Sequence, residues 1–404
     1  MKNNRSDFPI FSHSISRKPL YYCDNASTTH KPQQMLDALY AFYATYNSNV
    51  HRGVHAFGET TTEHYEHART SVANFINADS SEIIFTSGCT ESINAVATSW
   101  GRTVLRPGDE VVVSQLEHHS NFLPWQQLIH TNGIVLRSIP VLPDGTLDMA
   151  VAHSLITSKT KLLAITHVSN AIGTHVDLMP LITQAHAVGA RVLVDVAQSI
   201  AHQRIDVQAL DADFLAFSGH KLCGPTGIGV LFIKKELHEV MPPYKYGGGM
   251  VFEVGQVDAT WLQAPQKFEA GTPPIAQAIG LGAAITYLLE HINFDELQQY
   301  EARLCARLID GLHELQGVRI LGPLDALKKN GHLVSFVLDR IHAHDVAAYL
   351  GQRNIVVRAG HHCAQPLAQA LGYDASVRAS FYFYNTIEDV DALLEALREL
   401  IQAI

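Results

Sequence analysis

The chain has 404 residues, 47% hydrophobic and 17% charged, the balance of a folded globular protein, which excludes wholesale disorder, a coiled coil and a collagen-like chain. Its 29 Lys and Arg against 39 Asp and Glu leave a net charge of -10, and no basic run gathers the positive field that nucleic acid or an anionic membrane requires. At about 150 residues per domain the length suggests two or three domains.

The N-terminal stretch MKNNRSDFPIFSHS lacks the apolar run of a signal peptide, and no later segment offers about 18 uninterrupted apolar residues for crossing a bilayer. The five cysteines, Cys23, Cys89, Cys223, Cys305 and Cys363, are odd in number and free of CxxC spacing. That argues against a disulfide framework or a structural zinc site, and a cytoplasmic location is expected. From Ser81 onward, β-branched runs alternate with helical segments: EIIF, EVVVS, IVLRSIPV, LLAIT, RVLVDV, DFLAFS and GIGVLFI read as strands. Asp177 can N-cap the helix LMPLITQAHAV, with Pro180 in its first turn and Gly189 stopping it before RVLVD. The alternation is a βαβ pattern, and so predicts a largely parallel sheet covered on both faces. After Pro274 long helical periodicity runs through IAQAIGLGAAITYLLEHI and FDELQQYEARLCARLIDGLHEL; shorter strands (LVSFVLD, SVRASFYFY) then alternate with helices to DVDALLEALRELIQ. The reading is a large α/β domain over 21–290 ending in a linking helix near 275–291, and a small α+β domain over 291–404. Residues 1–20 are expected to pack on the small domain.

Chemistry-bearing residues collect where the apolar strands end. Lys221 lies in Ser218-Gly219-His220-Lys221-Leu222-Cys223-Gly224-Pro225-Thr226-Gly227, after DFLAFS. A lysine between a hydroxyl, an imidazole and a glycine-rich turn has what an imine-forming amine needs, although a solvated lysine in a turn fits the same letters. Asp195 ends RVLVD, where acids of open α/β sheets point into a ligand crevice; an N-cap is the plainer alternative. Thr86-Ser87-Gly88-Cys89-Thr90 opens a helix whose backbone amides and Thr90 hydroxyl can cradle a phosphate. Glu117-His118-His119 follows EVVVSQ, where an imidazole can stack on a planar ring or be an ordinary loop histidine. Cys363, in Arg358-Ala359-Gly360-His361-His362-Cys363-Ala364-Gln365-Pro366, is either an exposed nucleophile or a buried inert thiol. Arg378 offers a fork for a carboxylate, or a surface ion pair. Adjacent His361, His362 and Cys363 do not suit one metal ion, and no metal is expected.

Taken in order, DNASTTHKP, SNVHRGVH, SGCTESINAV, EHHSNFLPWQ, VSNAIGT, VDVAQS, SGHKLCGPTGIGVLF, FEAGTPP, RAGHHCAQP and VRASFYFYNT resemble the second group of cysteine desulfurases, the SufS and CsdA type also active on selenocysteine. These belong to the class V aminotransferases that use pyridoxal 5'-phosphate. The resemblance implies the PLP-dependent transferase fold type I, with a mostly parallel seven-stranded sheet in the large domain. It implies that Lys221 carries the cofactor and shuttles a proton, that Asp195 pairs with the ring nitrogen, and that Gln198 bonds the ring oxygen. His118 would stack on the ring, and Thr90, Cys89, Ser218 and His220 would surround the phosphate, with Thr272 reaching in from a partner subunit of a homodimer. Arg378, Asn170, His55 and Arg358 would hold the substrate carboxylate, and Cys363 would accept the sulfur. The implied reaction converts L-cysteine to L-alanine and hands sulfur to an acceptor protein of SufE, CsdE or SufU type, for iron-sulfur cluster or other sulfur-cofactor assembly. Alternatives are a selenocysteine lyase, an aminotransferase and an idle scaffold for sulfur carriers. Cys223, where relatives commonly carry an aromatic residue, and Cys89 depart from the pattern, and both add thiols expected to compete with Cys363 for modifying reagents.

Overall fold

Short runs of Val, Ile, Leu and Phe form the central sheet of the computed structural model, which describes residues 4–12 and 19–403. In spatial order its seven strands are Ile83–Thr86, Gly229–Ile233, Phe214–Ser218, Arg191–Asp195, Thr160–Thr166, Glu110–Ser114 and Val135–Ile139. The interior strands are buried on both faces, which is why they read as continuous apolar runs; only the edge strand Val135–Ile139 turns polar side chains outward. Six of the strands point the same way, five of them paired in parallel, and Gly229–Ile233 runs antiparallel to both neighbours. A parallel return needs a crossover of about a dozen residues or more. The segment Gly219–Ile228 closes as a tight turn instead, so the chain comes back reversed and holds Lys221 at the sheet's end.

Helix Leu178–Ala187 lies where the periodicity places it, with Asp177 at its N-cap position. The Asp177 side chain makes no capping hydrogen bond, whereas Gly189, at φ 80, ends the turn that follows. Helix Ile275–His291 is buried along most of its length and leads into Phe294–His313. A second sheet, antiparallel throughout, orders Val318–Leu321, Leu333–Leu338, Ser376–Ser380 and Arg358–Gly360. Leu304, Leu308 and Leu312 of one helix and Leu393, Leu394 and Leu397 of the terminal helix Ile387–Gln402 share its core. The strand ends at Ser380, so the FYFY that follows is not part of it: Phe381 is buried in the core of this second sheet, and Tyr382 to Tyr384 are buried rings packed on one another and on Phe8. The hairpin Val251–Val254 with Ala259–Trp261 carries no signal that the sequence reading used.

Of the first twenty residues, 1–3 and 13–18 lie outside the described residues. Phe8 packs on Tyr287, Phe383 and Tyr384, and Arg5 forms an ion pair with Asp389. Tyr21–Tyr22 pairs in parallel with Ile355–Val356 and delivers residues 23–29 to the carboxyl end of the central sheet. No single helix among the described residues is long and apolar enough to cross a membrane.

One buried ion pair ties the segment before Thr272 to the body of the chain. Arg69 donates to Glu269 at 2.7 and 2.9 Å and to the Ile83 carbonyl at 2.8 Å, while Tyr65 and the Phe85 amide also donate to Glu269. Arg69 also donates to the partly exposed Glu66 at 2.9 Å, so removing Glu269 leaves the buried guanidinium with that one counter-charge and takes away the acceptor of Tyr65 and the Phe85 amide. Glu269→Ala is expected to lower the unfolding free energy by about 3 to 5 kcal/mol, read from the urea midpoint, and an unshifted midpoint would contradict this account.

Candidate active site

A cavity of about 310 Å³ opens beyond the carboxyl ends of the parallel strands, where open α/β sheets place their ligands. Lys221, Asp195, Gln198, His118, Thr90, Cys89, Ser218, His220, Asn170, Arg358, Arg378 and Cys363 all line it. Residues spread from 89 to 378 thus meet in one space. His55 and Thr272 do not. The His55 ring is used otherwise: its Nδ1 accepts from the Gly58 amide and caps helix Ala56–Ile76. Thr272 is exposed beside Asn49, in a separate surface recess.

Lys221 is half-buried and lines this cavity. Burial lowers its pKa, and Asp195 and Cys89 oppose that shift. Burial likewise raises the pKa of Asp195, against the Ala197 amide, the charge of Lys221 and the Cys89 thiol. Both hydrogen bonds to Asp195, from the Ala197 amide at 2.9 Å and the Cys89 sulfur at 3.4 Å, fall on Oδ1, which leaves Oδ2 for a donor in the cavity. The turn carrying Lys221 is strapped from outside by DNASTTHKP: Thr28 and Thr29 hydroxyls and the Lys31 amine all donate to the His220 carbonyl, and Thr29 Oγ1 accepts from the Cys223 amide.

Helix Cys89–Val96 starts at Gly88 and aims its first amides at the cavity; the Cys89 amide meets Ser218 Oγ at 2.9 Å. The approach is possible because position 229 has no side chain: a Cβ there would lie 2.4 Å from Gly88 Cα. Thr90 Oγ1 and Ser120 Oγ are 2.7 Å apart. His118 Nδ1 accepts from the Ser120 amide at 3.1 Å, which places the neutral ring's proton on Nε2. Burial, with help from the Lys221 charge, lowers the His118 pKa to about 3, so the ring stays neutral at working pH.

Cys363 is exposed, while Cys23, Cys89, Cys223 and Cys305 are buried. Burial raises the thiol pKa at all four, that of Cys223 to about 12, which works against the expected competition from Cys223 and from Cys89, although Cys89 lines the cavity. His362 and Cys363 adopt positive φ, 54 and 56, a conformation that the surroundings must hold. The His119 amide donates to the Cys363 carbonyl at 2.8 Å, His119 Nε2 accepts from the Gln365 amide at 3.2 Å, and Asn170 Nδ2 donates to the His362 carbonyl at 2.6 Å. Asn170 thus gives one amide proton to the cysteine loop, and its second N–H remains on a side chain that lines the cavity. Arg378 is buried and donates to the Asn170 carbonyl, to Asp24 and to Ser27, yet its Nε has no partner. Arg358 also pairs with Asp24, at 3.0 Å. Asp24, His119 and Ser120 were not singled out by sequence reasoning; all three act through neighbours that are remote in the chain or through backbone groups.

The donor set fits pyridoxal phosphate. The unpaired Oδ2 of buried Asp195 suits a protonated ring nitrogen, the amides at the start of helix Cys89–Val96 with Thr90, Ser218 and His220 suit the phosphate, and the enclosed amine of Lys221 suits the aldehyde. Gln198 and His118 border the space left for the ring. Among the described residues no group of three or more His, Cys, Asp or Glu is placed to hold a metal ion.

This architecture is that of the class V aminotransferases, and residues 21–393 match that family, Aminotransferase class-V. The chain belongs to it. Within the family, a probable cysteine desulfurase of Halalkalibacterium halodurans is 49% identical over 393 residues, 97% of this chain and 96% of the relative. A cysteine desulfurase of Haloferax volcanii is 45% identical over 407 residues, 97% of this chain and 95% of the relative. The apo cysteine desulfurase of Thermococcus onnurineus NA1 superposes with a TM-score of 0.94 at 41% identity, covering 100% of this chain and 99% of that one. The cysteine desulfurase CsdA of Escherichia coli, in its S-sulfonic acid form, gives 0.91 at 40% identity, covering 99% and 98%.

The close approach at Gly229 yields a test. Gly229→Ala pushes Gly88 and the amides after it out of place, and is expected to weaken pyridoxal phosphate binding to the apo-protein by about tenfold or more, read by fluorescence titration with an unchanged circular dichroism spectrum. Parent-like affinity would show that those amides do not hold the phosphate.

Proposed function

We propose that the chain is a pyridoxal-phosphate-dependent cysteine desulfurase that converts L-cysteine to L-alanine and holds the removed sulfur as a persulfide on Cys363. The single observation that carries this reading is the placement of the one exposed cysteine and an enclosed lysine on the same small cavity. The names of its relatives support it.

Bound pyridoxal phosphate supplies an electron sink for the charge left when a proton departs from the substrate α-carbon. The chain's own groups do the rest. Arg378 and Arg358, sharing the single carboxylate of Asp24, present surplus positive charge to the substrate carboxylate. Lys221, whose amine burial shifts toward the neutral form, takes the α-proton and returns one to the three-carbon product. The Cys363 thiolate attacks the substrate sulfur: a sulfur-sulfur bond forms, and the carbon-sulfur bond breaks with its electron pair going to the β-carbon, which is then protonated. The persulfide sulfur passes from Cys363 to a second protein, for iron-sulfur cluster or other sulfur-cofactor assembly. The exposed position of the loop at the cavity mouth suits that handover.

The active unit we propose is a homodimer. Tyr40, Tyr43, Val54, Phe57, Phe252 and Val257 are large apolar side chains left in solvent, and Val257 is 98% exposed. His55 and Thr272, idle toward their own cavity, would serve a neighbour's. Sedimentation of the purified protein is expected to give twice the mass of one chain, and a monomer would remove those two residues from any site.

Replacing Cys363 tests the persulfide step itself. Cys363→Ala is expected to lower alanine production from cysteine by about two orders of magnitude or more while turnover of selenocysteine, whose selenium leaves more readily, persists. Undiminished release of sulfide and alanine from cysteine would overturn the role of Cys363.

A further inference from the structure

Behind the cavity wall three elements bury titratable side chains that the mechanism above does not use. Glu301, from helix Phe294–His313, and His332, just before strand Leu333–Leu338, are each 1% exposed, and His202, after the turn that follows Asp195, is 6% exposed. His202 Nδ1 lies 2.9 and 3.0 Å from the two Glu301 oxygens. The His202 and His332 rings stack at 3.8 Å and 18°. His332 Nε2 lies 3.4 Å from Oε1 of Gln198, which lines the cavity. Polar groups buried at this cost persist where their bonding is specific.

We propose that Glu301, His202 and His332 form a positioning chain that fixes the Gln198 amide so that one N–H points at the ring oxygen of the bound cofactor. The inference rests on the reading that the cavity takes pyridoxal phosphate. Its logic lies in which atoms can donate. The Ala26 carbonyl, 2.9 Å from Gln198 Nε2, only accepts, so the nitrogen must face it and Oε1 must face His332. His332 must then carry its proton on Nε2, with a lone pair on Nδ1, which has no partner. One proton of Gln198 Nε2 goes to Ala26, and the other is left for the cavity. If His332 turned, or its proton sat on Nδ1 instead, Oε1 would lose its donor and the amide would be held by the Ala26 carbonyl alone.

The surroundings hold His332 neutral. Burial acts first, and the groups that face it are His202 in the stack, His175, Arg378 and Lys221, all of which oppose a second proton. Two imidazoles stacked this closely cannot both be charged. His202, its pKa lowered by burial to about 3, takes its orientation from Glu301, which burial pushes toward the protonated form. Glu301 holds His202 through a hydrogen bond, His202 holds His332 through ring contact, and only the last link, His332 to Gln198, has its donor fixed.

The test uses the protein loaded with pyridoxal phosphate and follows its visible absorption band against pH. A donor on the ring oxygen stabilises negative charge that grows as the chromophore deprotonates, so losing the donor raises the midpoint. His332→Phe keeps a ring stacked on His202 and removes the N–H. It is expected to raise the midpoint by about half a pH unit or more and to weaken cofactor binding to the apo-protein several-fold, while His332→Gln, which restores a side-chain N–H, brings the midpoint most of the way back. Should the phenylalanine variant fail to fold, Glu301→Leu, which removes the group orienting His202, carries the same prediction with a smaller shift. A parent-like midpoint and affinity in a folded His332→Phe or Glu301→Leu protein would overturn the proposal. A parent protein that develops no visible band with pyridoxal phosphate would fail the cofactor reading itself, a distinct result.

Discussion

The arrangement depends on one amine and one carboxylate held together where water is scarce. Lys221 and Asp195 lie at the ends of neighbouring strands, Phe214–Ser218 and Arg191–Asp195, and each is the opposite charge that acts most on the other. Burial alone drives both toward neutrality, the amine by losing its proton and the carboxylate by gaining one. Their mutual attraction resists that, and leaves an amine that can release its proton without being solvated. The reversed strand Gly229–Ile233 follows from the same need, because a tight return keeps the lysine turn pinned over the sheet where a crossover helix would carry it away.

Around that pair the chain uses two devices that differ in stiffness. The lysine turn is tied by several donors from residues 28–31 to one carbonyl, so several bonds must break before it moves. The cysteine loop is held against strained backbone by His119, Asn170 and the contact of His362 with Ser376, while the thiol itself stays outside. Rigid geometry at the lysine suits proton transfer, which tolerates little misplacement. A thiol that must meet first a substrate and then a second protein has to remain reachable from both sides.

Much of this was legible in the chain, for identifiable reasons. The fully buried strands announced themselves as apolar runs, and Lys221, Asp195 and the Gly88 turn sat at their carboxyl ends, where the architecture alone puts function. The hairpin Val251–Val254 with Ala259–Trp261 left no such trace, because its exposed strands have no core face to impose alternation. The backbone partners of His55 and Asn170 could not be read, because a motif gives a residue's neighbours in sequence, whereas the Gly58 amide and the His362 carbonyl are brought to them by the fold. Glu301, His202 and His332 were invisible for a related reason: each looks like one of the many acids and histidines scattered along the chain, and only packing across three elements makes them a unit.

The charge ledger of the site closes the argument. Lys221, Arg358 and Arg378 face Asp195 and Asp24, so three potential positive charges are set against two negative ones in a protein that is acidic as a whole. A group bringing a phosphate would reverse that balance unless a ring proton and helix amides answered it, and those are the features found at Asp195 and at the start of helix Cys89–Val96. What then remains is the surplus of the arginine pair over Asp24, about one unit, enough for a single carboxylate. An amino acid carries one, and its amine must come to Lys221 with its side chain toward Cys363. A zwitterion whose third substituent ends in sulfur is the small molecule that answers all three requirements at once.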